Sequence, residues 1–197
     1  MKFVLASNSP RRHQLLSMFN LNLIVTSHSF DENSIKKEVN PEEYCKLISE
    51  GKVKSICHDY SDITVLSADT IVVIDDRILE KPTNKNNAMK MLKLLSGRQH
   101  QVITGVTILN DYYNINFSFT EKTLVTFNKL IENDIVYYLD KYKPYDKSGA
   151  YGIQDFSAIF VKSIDGCFFN VMGLPLSTLF YYLKKFDLVQ FSLNTSN

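Results

Sequence analysis

The chain has 197 residues, of which 45% are hydrophobic and 22% are charged, and its formal net charge is +1. That hydrophobic content is enough to build one core, or two lobes that share a core. The balanced and scattered charge argues against a nucleic-acid-binding protein that relies on a basic face.

The beginning of the chain and its cysteines narrow the class further. The sequence MKFVLASNSPRR has only a short apolar run with arginines directly after it, which is not the pattern of a signal peptide. No stretch approaches the length of a membrane span. The three cysteines are far apart and form no CxxC pair, which argues against a disulfide framework and a zinc site. We therefore expect a cytoplasmic protein without membrane association.

Apolar periodicity predicts strands and helices in alternation. Residues 2–6 form a short buried strand, and Pro10 suits the first position of a helix with Ser9 as its N-cap. Further strands are predicted at 23–26, 64–74, 78–79, 101–109, 116–127 and 158–164, and further helices at 41–57, 86–95, 131–142 and 175–186.

This order of elements predicts an α/β fold with a mixed, curved sheet flanked by helices. Residues 1–186 are expected to form a single domain of two lobes. The tail, 187–197, lacks a convincing pattern and is expected to be loose.

A polar turn with the sequence SNSPRR follows the first predicted strand. A helix that begins at Pro10 directs unpaired N–H groups and the positive end of its dipole beyond the strand, where an anion can bind. Ser7 and Ser9 can donate hydrogen bonds to phosphate, and Arg11 and Arg12 add charged donors. The alternative is an ordinary helix cap followed by surface arginines.

An acid and a hydroxyl, Asp69 and Thr70, interrupt the apolar strand predicted at 64–74. A carboxylate in that place is costly unless it meets a cation, a metal or strong donors. Asp69 is therefore either catalytic or a structural salt-bridge partner, and the pattern alone does not decide between them.

Two further positions carry polar groups near predicted strands. Lys81 precedes a proline, which holds its backbone extended, although an ordinary surface lysine is the alternative. His100 has no second histidine nearby, so a structural hydrogen bond is the favoured interpretation. The pair Thr104-Gly105, inside a predicted strand, indicates that the backbone there lies close to something that the sequence does not identify.

The segment 146–154, DKSGAYGIQ, is glycine-rich and could lie close to a ligand, with the Gln154 amide able to read a base edge. The alternative is a simple connector. In the segment 170–176, NVMGLPL, Gly173 and Pro175 are interpreted as the turn that starts the last helix.

Taken together and in this order, these stretches resemble the Maf family of nucleotide pyrophosphatases over roughly residues 3–183. The matching stretches are ASNSPRR at 6–12, ADT at 68–70, KP at 81–82, LSGRQHQVITG at 95–105, DKSGAYGIQ at 146–154 and NVMGLP at 170–175. Glu32 and Lys52 fit two further polar positions, the latter in a helix where the family usually reads LAxxKA. Ser148 replaces a usual alanine, a small change that we expect to be harmless.

The resemblance implies an elongated fold similar to that of inosine triphosphate pyrophosphatases, with an active site in a cleft between two lobes. It also implies hydrolysis between the α- and β-phosphates with a divalent metal, and a homodimer. Asp69 matches the family's general base, which Lys52 and Lys81 would assist. Arg11, Thr70 and Gln154 match the branch that acts on dTTP and UTP rather than on 7-methyl-GTP.

The residue inventory fits this chemistry. Arg11, Arg12, Lys52 and Lys81 could face the negative charges of a triphosphate, and Glu32 with Asp69 could hold Mg²⁺ or Mn²⁺ through oxygen ligands. No GxxxxGK[ST] motif indicates a P-loop, and no GxSxG motif indicates a serine hydrolase. The alternative function is a nucleotide-sensing regulator of septum formation or cell division without essential catalysis.

Overall fold

The computed structural model describes residues 2–36 and 38–190. The strands are β1 (Lys2–Ala6), β2 (Asn22–Thr26), β3 (Thr64–Ile74), β4 (Arg77–Leu79), β5 (Gln99–Asn110), β6 (Ile115–Phe127) and β7 (Val161–Asp165). The α-helices are α1 (Pro10–Ser17), α2 (Pro41–Lys54), α3 (Lys85–Leu95), α4 (Glu132–Tyr142), α5 (Phe168–Met172) and α6 (Leu176–Lys185). Short 3-10 helices lie at Glu32–Ser34, Cys57–Tyr60, Ser148–Ala150 and Phe156–Phe160.

The strands form one seven-stranded mixed sheet in the order β2-β1-β3-β5-β6-β7, with β4 paired to β3. Strand β1 runs parallel to β2 and β3, whereas β3, β5, β6 and β7 pair antiparallel. Helices pack against the sheet, so the predicted α/β class with a mixed sheet is confirmed.

Most predicted elements are present, with a few errors in their bounds and one helix that was missed. The strand predicted at 158–164 begins only at Val161, because the Asp155 side chain accepts a hydrogen bond from Ser157 N and starts a 3-10 helix instead. The short helix α5 was not predicted. The helix predicted to end at residue 57 ends at Lys54. Among the described residues, no helix is long and apolar enough to cross a membrane.

Side chains on alternate positions of β3 point to opposite faces of the sheet, as the period of two in a strand requires. On one face, Ile71 and Val73 pack against α2. On the other, Leu66 packs in a cluster with α1 and α6, and Val72 packs in a second cluster with α3 and α4. Helices therefore cover both faces of the sheet.

Polar residues interrupt the apolar packing at the same level on both faces. We call this set the polar belt; its members are Ser49, Ser67, Thr70, Thr104, Thr107 and Asn170. On the α2 face, Ser67 Oγ donates to Ser49 O over 2.5 Å, and the Ser49 and Thr107 hydroxyls lie 2.7 Å apart. On the other face, the Thr70 and Thr104 hydroxyls lie 2.9 Å apart. The belt separates the hydrophobic clusters of each face.

Helix α2 lies directly on β5 at Gly105. A Cβ atom at this glycine would stand 2.5 Å from the backbone C and O atoms of Cys45. The predicted close backbone approach is therefore confirmed, and its partner is α2.

The C-terminal segment expected to be loose begins at Asp187. Leu188, within it, is 1% exposed and joins the cluster of α1 and α6. Residues 191–197 of this segment lie outside the described residues.

Two glycine substitutions test the contact between α2 and β5. Gly105→Ala places a methyl group against backbone, so we expect a loss of about 2–4 kcal/mol in the free energy of unfolding. Gly51→Ala meets only the end of the Phe30 ring and gains helix propensity, so we expect a net change below about 1 kcal/mol. Urea unfolding of both variants measures the difference. Equal losses would contradict the backbone contact.

Candidate functional site

Every predicted site residue lines one cavity of about 360 Å³, which opens where the polar belt meets the end of β1. These residues are Ser7, Ser9, Arg11, Arg12, Glu32, Lys52, Asp69, Thr70, Lys81 and Gln154. The structure therefore brings together residues that lie more than a hundred positions apart in the chain. We call this cavity the cleft.

The turn between β1 and α1 forms one wall of the cleft. Ser7 N donates to Thr26 O over 3.0 Å, which ties the turn to β2. Ser9 occupies the N-cap position as predicted, but its hydroxyl makes no capping hydrogen bond, and no acidic residue lies in the first turn of α1. The positive end of the helix dipole is therefore not neutralised by the helix itself and remains able to attract an anion.

The two arginines at the start of α1 differ in their surroundings. Arg12 is only 9% exposed, and its guanidinium donates to Gly173 O, Ser7 Oγ and Thr70 Oγ1. Arg11 lies at the mouth of the cleft, where Arg11 Nη1 is 2.7 Å from Asp146 Oδ2. Arg12 is thus not the surface arginine that a simple helix cap would predict.

A buried lysine lies between two acids on the opposite wall. Lys52 Nζ is 2.8 Å from Asp69 Oδ1 and 3.0 Å from Glu32 Oε1. Burial by itself raises the pKa of Asp69, but the charges of Lys52 and Arg12 outweigh it and lower that pKa below its usual value. Asp69 is therefore ionised at neutral pH, and it is a salt-bridge partner as well as a cleft residue.

The acids of this wall fit a hard divalent cation. Glu32 and Asp69 place oxygens around a single point, now approached by the Lys52 ammonium. Within residues 2–36 and 38–190, no group of three or more histidine, cysteine or acidic residues could hold a metal by itself. Mg²⁺ commonly binds through one or two carboxylates together with substrate phosphates, so this donor set suits a metal that arrives with a polyphosphate.

Among the cleft-lining residues to which sequence reasoning gave no individual role are two basic ones, Lys147 and His28. Lys147 Nζ lies 2.9 Å from Asp146 Oδ1, so Asp146 pairs with both Lys147 and Arg11 at the mouth of the cleft. Burial alone would raise the pKa of Asp146, but these two cations lower it to about 2. The DK pair in the glycine-rich segment was the available signal for Lys147. His28 Nε2 lies 3.7 Å from Glu32 Oε1, and burial lowers its pKa. No pattern around His28 indicated the cleft.

His100 lies behind the cleft rather than in it. Its Nε2 atom is 2.8 Å from the hydroxyl of Tyr151, a cleft-lining residue, and burial lowers the pKa of His100 to about 4. The structural interpretation of His100 is therefore confirmed.

These features define a class: an α/β protein whose cleft joins a free helix N-terminus, several cations and a buried ionised acid. Such a cleft suits a small phosphorylated molecule. The family model described as "Maf-like protein" matches residues 2–186, and the chain belongs to that family.

Curated relatives match nearly the whole chain. A protein named dTTP/UTP pyrophosphatase from Geobacillus sp. (strain WCH70) is 44% identical over 93% of this chain and 97% of its own length. A protein of the same name from Clostridium beijerinckii is 40% identical over 94% of this chain and 99% of its own length. Among solved structures, a HAM1 protein from Coxiella burnetii covers 94% of this chain and 99% of its own, at 13% identity and a TM-score of 0.48. That structural similarity is too weak to support an inference.

The ion pairs of Lys52 yield a prediction about pH. In the wild type, the pKa of Asp69 is lower in the folded protein than in the unfolded chain. This difference stabilises the fold at pH values above the unfolded pKa, and the stabilisation is lost as the pH falls through the folded pKa. Lys52→Met removes the nearest cation, so the folded pKa of Asp69 should rise above its unfolded value. The variant should then lose at least about 2 kcal/mol at pH 7 and recover part of it at pH 5.

Urea unfolding at pH 5 and pH 7, with a chelator present, measures this effect. The matched control is Lys54→Met on the same helix, because Lys54 is 58% exposed and pairs only at the surface, with Glu50. The control should change stability by less than about 0.5 kcal/mol at either pH. A Lys52→Met loss that is the same at both pH values would show that Asp69 does not depend on this ammonium.

Proposed function

We propose that this protein hydrolyses dTTP and UTP to the nucleoside monophosphate and pyrophosphate. The observation that carries the proposal is the cleft, in which an ionised acid faces the cations of α1, α2 and the segment after β4. The chain's 44% identity to a protein named dTTP/UTP pyrophosphatase gives the reaction and the substrates.

The cations of the cleft bind the triphosphate. Arg11 and Lys81 line the cleft, as do Ser7 and Ser9 in the turn before α1. Guanidinium groups, hydroxyls and N–H groups all donate to phosphate oxygens, and the helix dipole adds to their attraction. These donors counter the charge that develops on the phosphates as the anhydride bond breaks.

Asp69 orients or deprotonates the water that attacks the α-phosphorus. The new bond forms between the water oxygen and this phosphorus, the bond to the oxygen bridging the α- and β-phosphorus atoms breaks, and pyrophosphate leaves. Lys52 keeps the Asp69 carboxylate ionised and fixed, at 2.8 Å. Positioning supplies the catalysis here, because a carboxylate of low pKa is a weak base.

Glu32 and Asp69 would hold a divalent cation, Mg²⁺ or Mn²⁺, together with phosphate oxygens of the substrate. Bound there, the metal would neutralise phosphate charge and lower the pKa of a bound water.

Gln154 is the residue that we assign to base recognition. Its side chain is exposed and lines the cleft, and an amide can both donate to and accept from a pyrimidine edge. Arg11 is fixed nearby through Asp146. Thr70, the third predicted specificity residue, has its hydroxyl engaged by Arg12 and Thr104, so we do not assign it direct contact with the base.

The regulator without essential catalysis is not favoured. A sensor of nucleotides needs cations for the phosphates, but it has no need of a buried acid held ionised at the same point. We further propose that the protein acts in the cytoplasm as a homodimer.

Asp69→Asn tests the proposed base. The substitution keeps the size of the side chain and removes its charge, so we expect hydrolysis of dTTP to fall by about 10²- to 10⁴-fold. Pyrophosphate release from dTTP in Mn²⁺ buffer is the measurement. Asp76→Asn, in the exposed turn after β3, is the matched control and should keep full activity. Undiminished hydrolysis by Asp69→Asn would remove Asp69 from this role.

Gln154→Ala tests base recognition. Hydrogen bonds to a base edge discriminate more strongly than apolar contacts, so kcat/KM should fall more for dTTP than for GTP, by about 10-fold or more. Steady-state rates with both nucleotides give the ratio. If both rates changed by the same factor, base recognition would have to lie in other residues.

A further inference from the structure

We infer that Thr70 is a positioning residue for Arg12 and sets the strength of phosphate binding rather than the choice of base. This inference rests on the proposed function, because it assigns a task to a residue of the same cleft. It concerns the hydrogen bonds that connect α1, β3, β5 and the segment between α5 and α6.

Arg12 is held by three acceptors from three parts of the chain. Its Nε atom donates to Gly173 O over 2.8 Å, Nη1 to Ser7 Oγ over 3.3 Å, and Nη2 to Thr70 Oγ1 over 2.9 Å. A guanidinium has five N–H groups. Two therefore remain for a ligand, and their direction is fixed by the three that are bound.

The charge of Arg12 also fixes the direction of the neighbouring hydrogen bonds. A guanidinium cannot accept, so Thr70 Oγ1 must be the acceptor and its own hydrogen must point elsewhere. Two acceptors lie within reach of that hydrogen, Thr104 Oγ1 at 2.9 Å and Gly173 O at 3.4 Å, and Thr104 Oγ1 donates to Asn170 O at 3.3 Å. Thr70 therefore accepts from Arg12 and donates within this same network of hydrogen bonds.

This arrangement limits what Thr70 can offer to a base. Its hydrogen is taken up by Thr104, directly opposite on β5, or by Gly173 O, and one lone pair accepts from Arg12. Gly173 lies next to both side chains, and its φ of +112° is a backbone conformation that favours glycine. The NVMGLP segment thus supplies an acceptor for Arg12 as well as a turn.

Thr70→Val and Thr70→Ser separate the hydroxyl from the methyl group. Valine keeps the shape and loses the acceptor, whereas serine keeps the acceptor. Inorganic tripolyphosphate is the probe, because it carries the phosphate charge without any base. In Mg²⁺ buffer, calorimetry should show binding about 10- to 100-fold weaker for Thr70→Val, the loss expected for a hydrogen bond to a charged group. Thr70→Ser should stay within about 3-fold of the wild type.

Hydrolysis gives a second readout with the same variants. Thr70→Val should lower kcat/KM for dTTP, UTP and CTP by one common factor, so that the ratios between them stay unchanged. Thr126→Val, on β6, is the control for a threonine-to-valine change on the sheet, and melting temperatures verify that each variant is folded. Thr126→Val should match the wild type in both assays.

Three results would overturn the inference. The first is unchanged tripolyphosphate binding by Thr70→Val with an altered ratio of dTTP to CTP, which would make Thr70 a base reader. The second is a loss in Thr70→Ser as large as that in Thr70→Val. The third is a wild type that does not bind tripolyphosphate. A wild type that binds tripolyphosphate but hydrolyses no nucleotide would contradict the proposed function. The binding assay would still show whether Thr70 positions Arg12.

Discussion

The ion pair between Lys52 and Asp69 is the interaction on which the rest of the cleft depends. It joins α2 to the middle of β3 at the level where the polar belt interrupts the hydrophobic clusters. An ionised acid at this depth is costly without a cation. Because the pair also approaches Glu32, the same contact that stabilises the fold assembles the acidic wall of the cleft.

The polar belt explains why the cleft lies where it does. Apolar side chains fill the space above and below it, and hydroxyls of the belt bond to each other between α2 and β5 and between the adjacent strands β3 and β5. Thr70 belongs to the belt and also lines the cleft. The cleft therefore opens at a level of the sheet where hydrogen bonds within the fold set the directions of several polar side chains.

Much of this could be predicted from the sequence. The strand at 64–74 has the predicted bounds because an apolar run between polar turns leaves little choice. The residues proposed for the site come from short motifs in a fixed order, and the structure places them along one cavity. The strand predicted at 158–164 was wrong at its start, since a local hydrogen bond at Asp155 competes with the apolar pattern. Lys147 and His28 could not be placed in the cleft by periodicity, because their positions depend on how distant loops converge.

The contact between Gly105 and the backbone of α2 has a mechanical consequence. At this contact the two backbones meet without a side chain between them, so the wall that carries Lys52 packs directly on the sheet. The opposite wall is joined across the mouth by the solvent-accessible contact of Arg11 with Asp146. The two walls of the cleft are therefore held in different ways, one by a buried backbone contact and the other by an exposed ion pair.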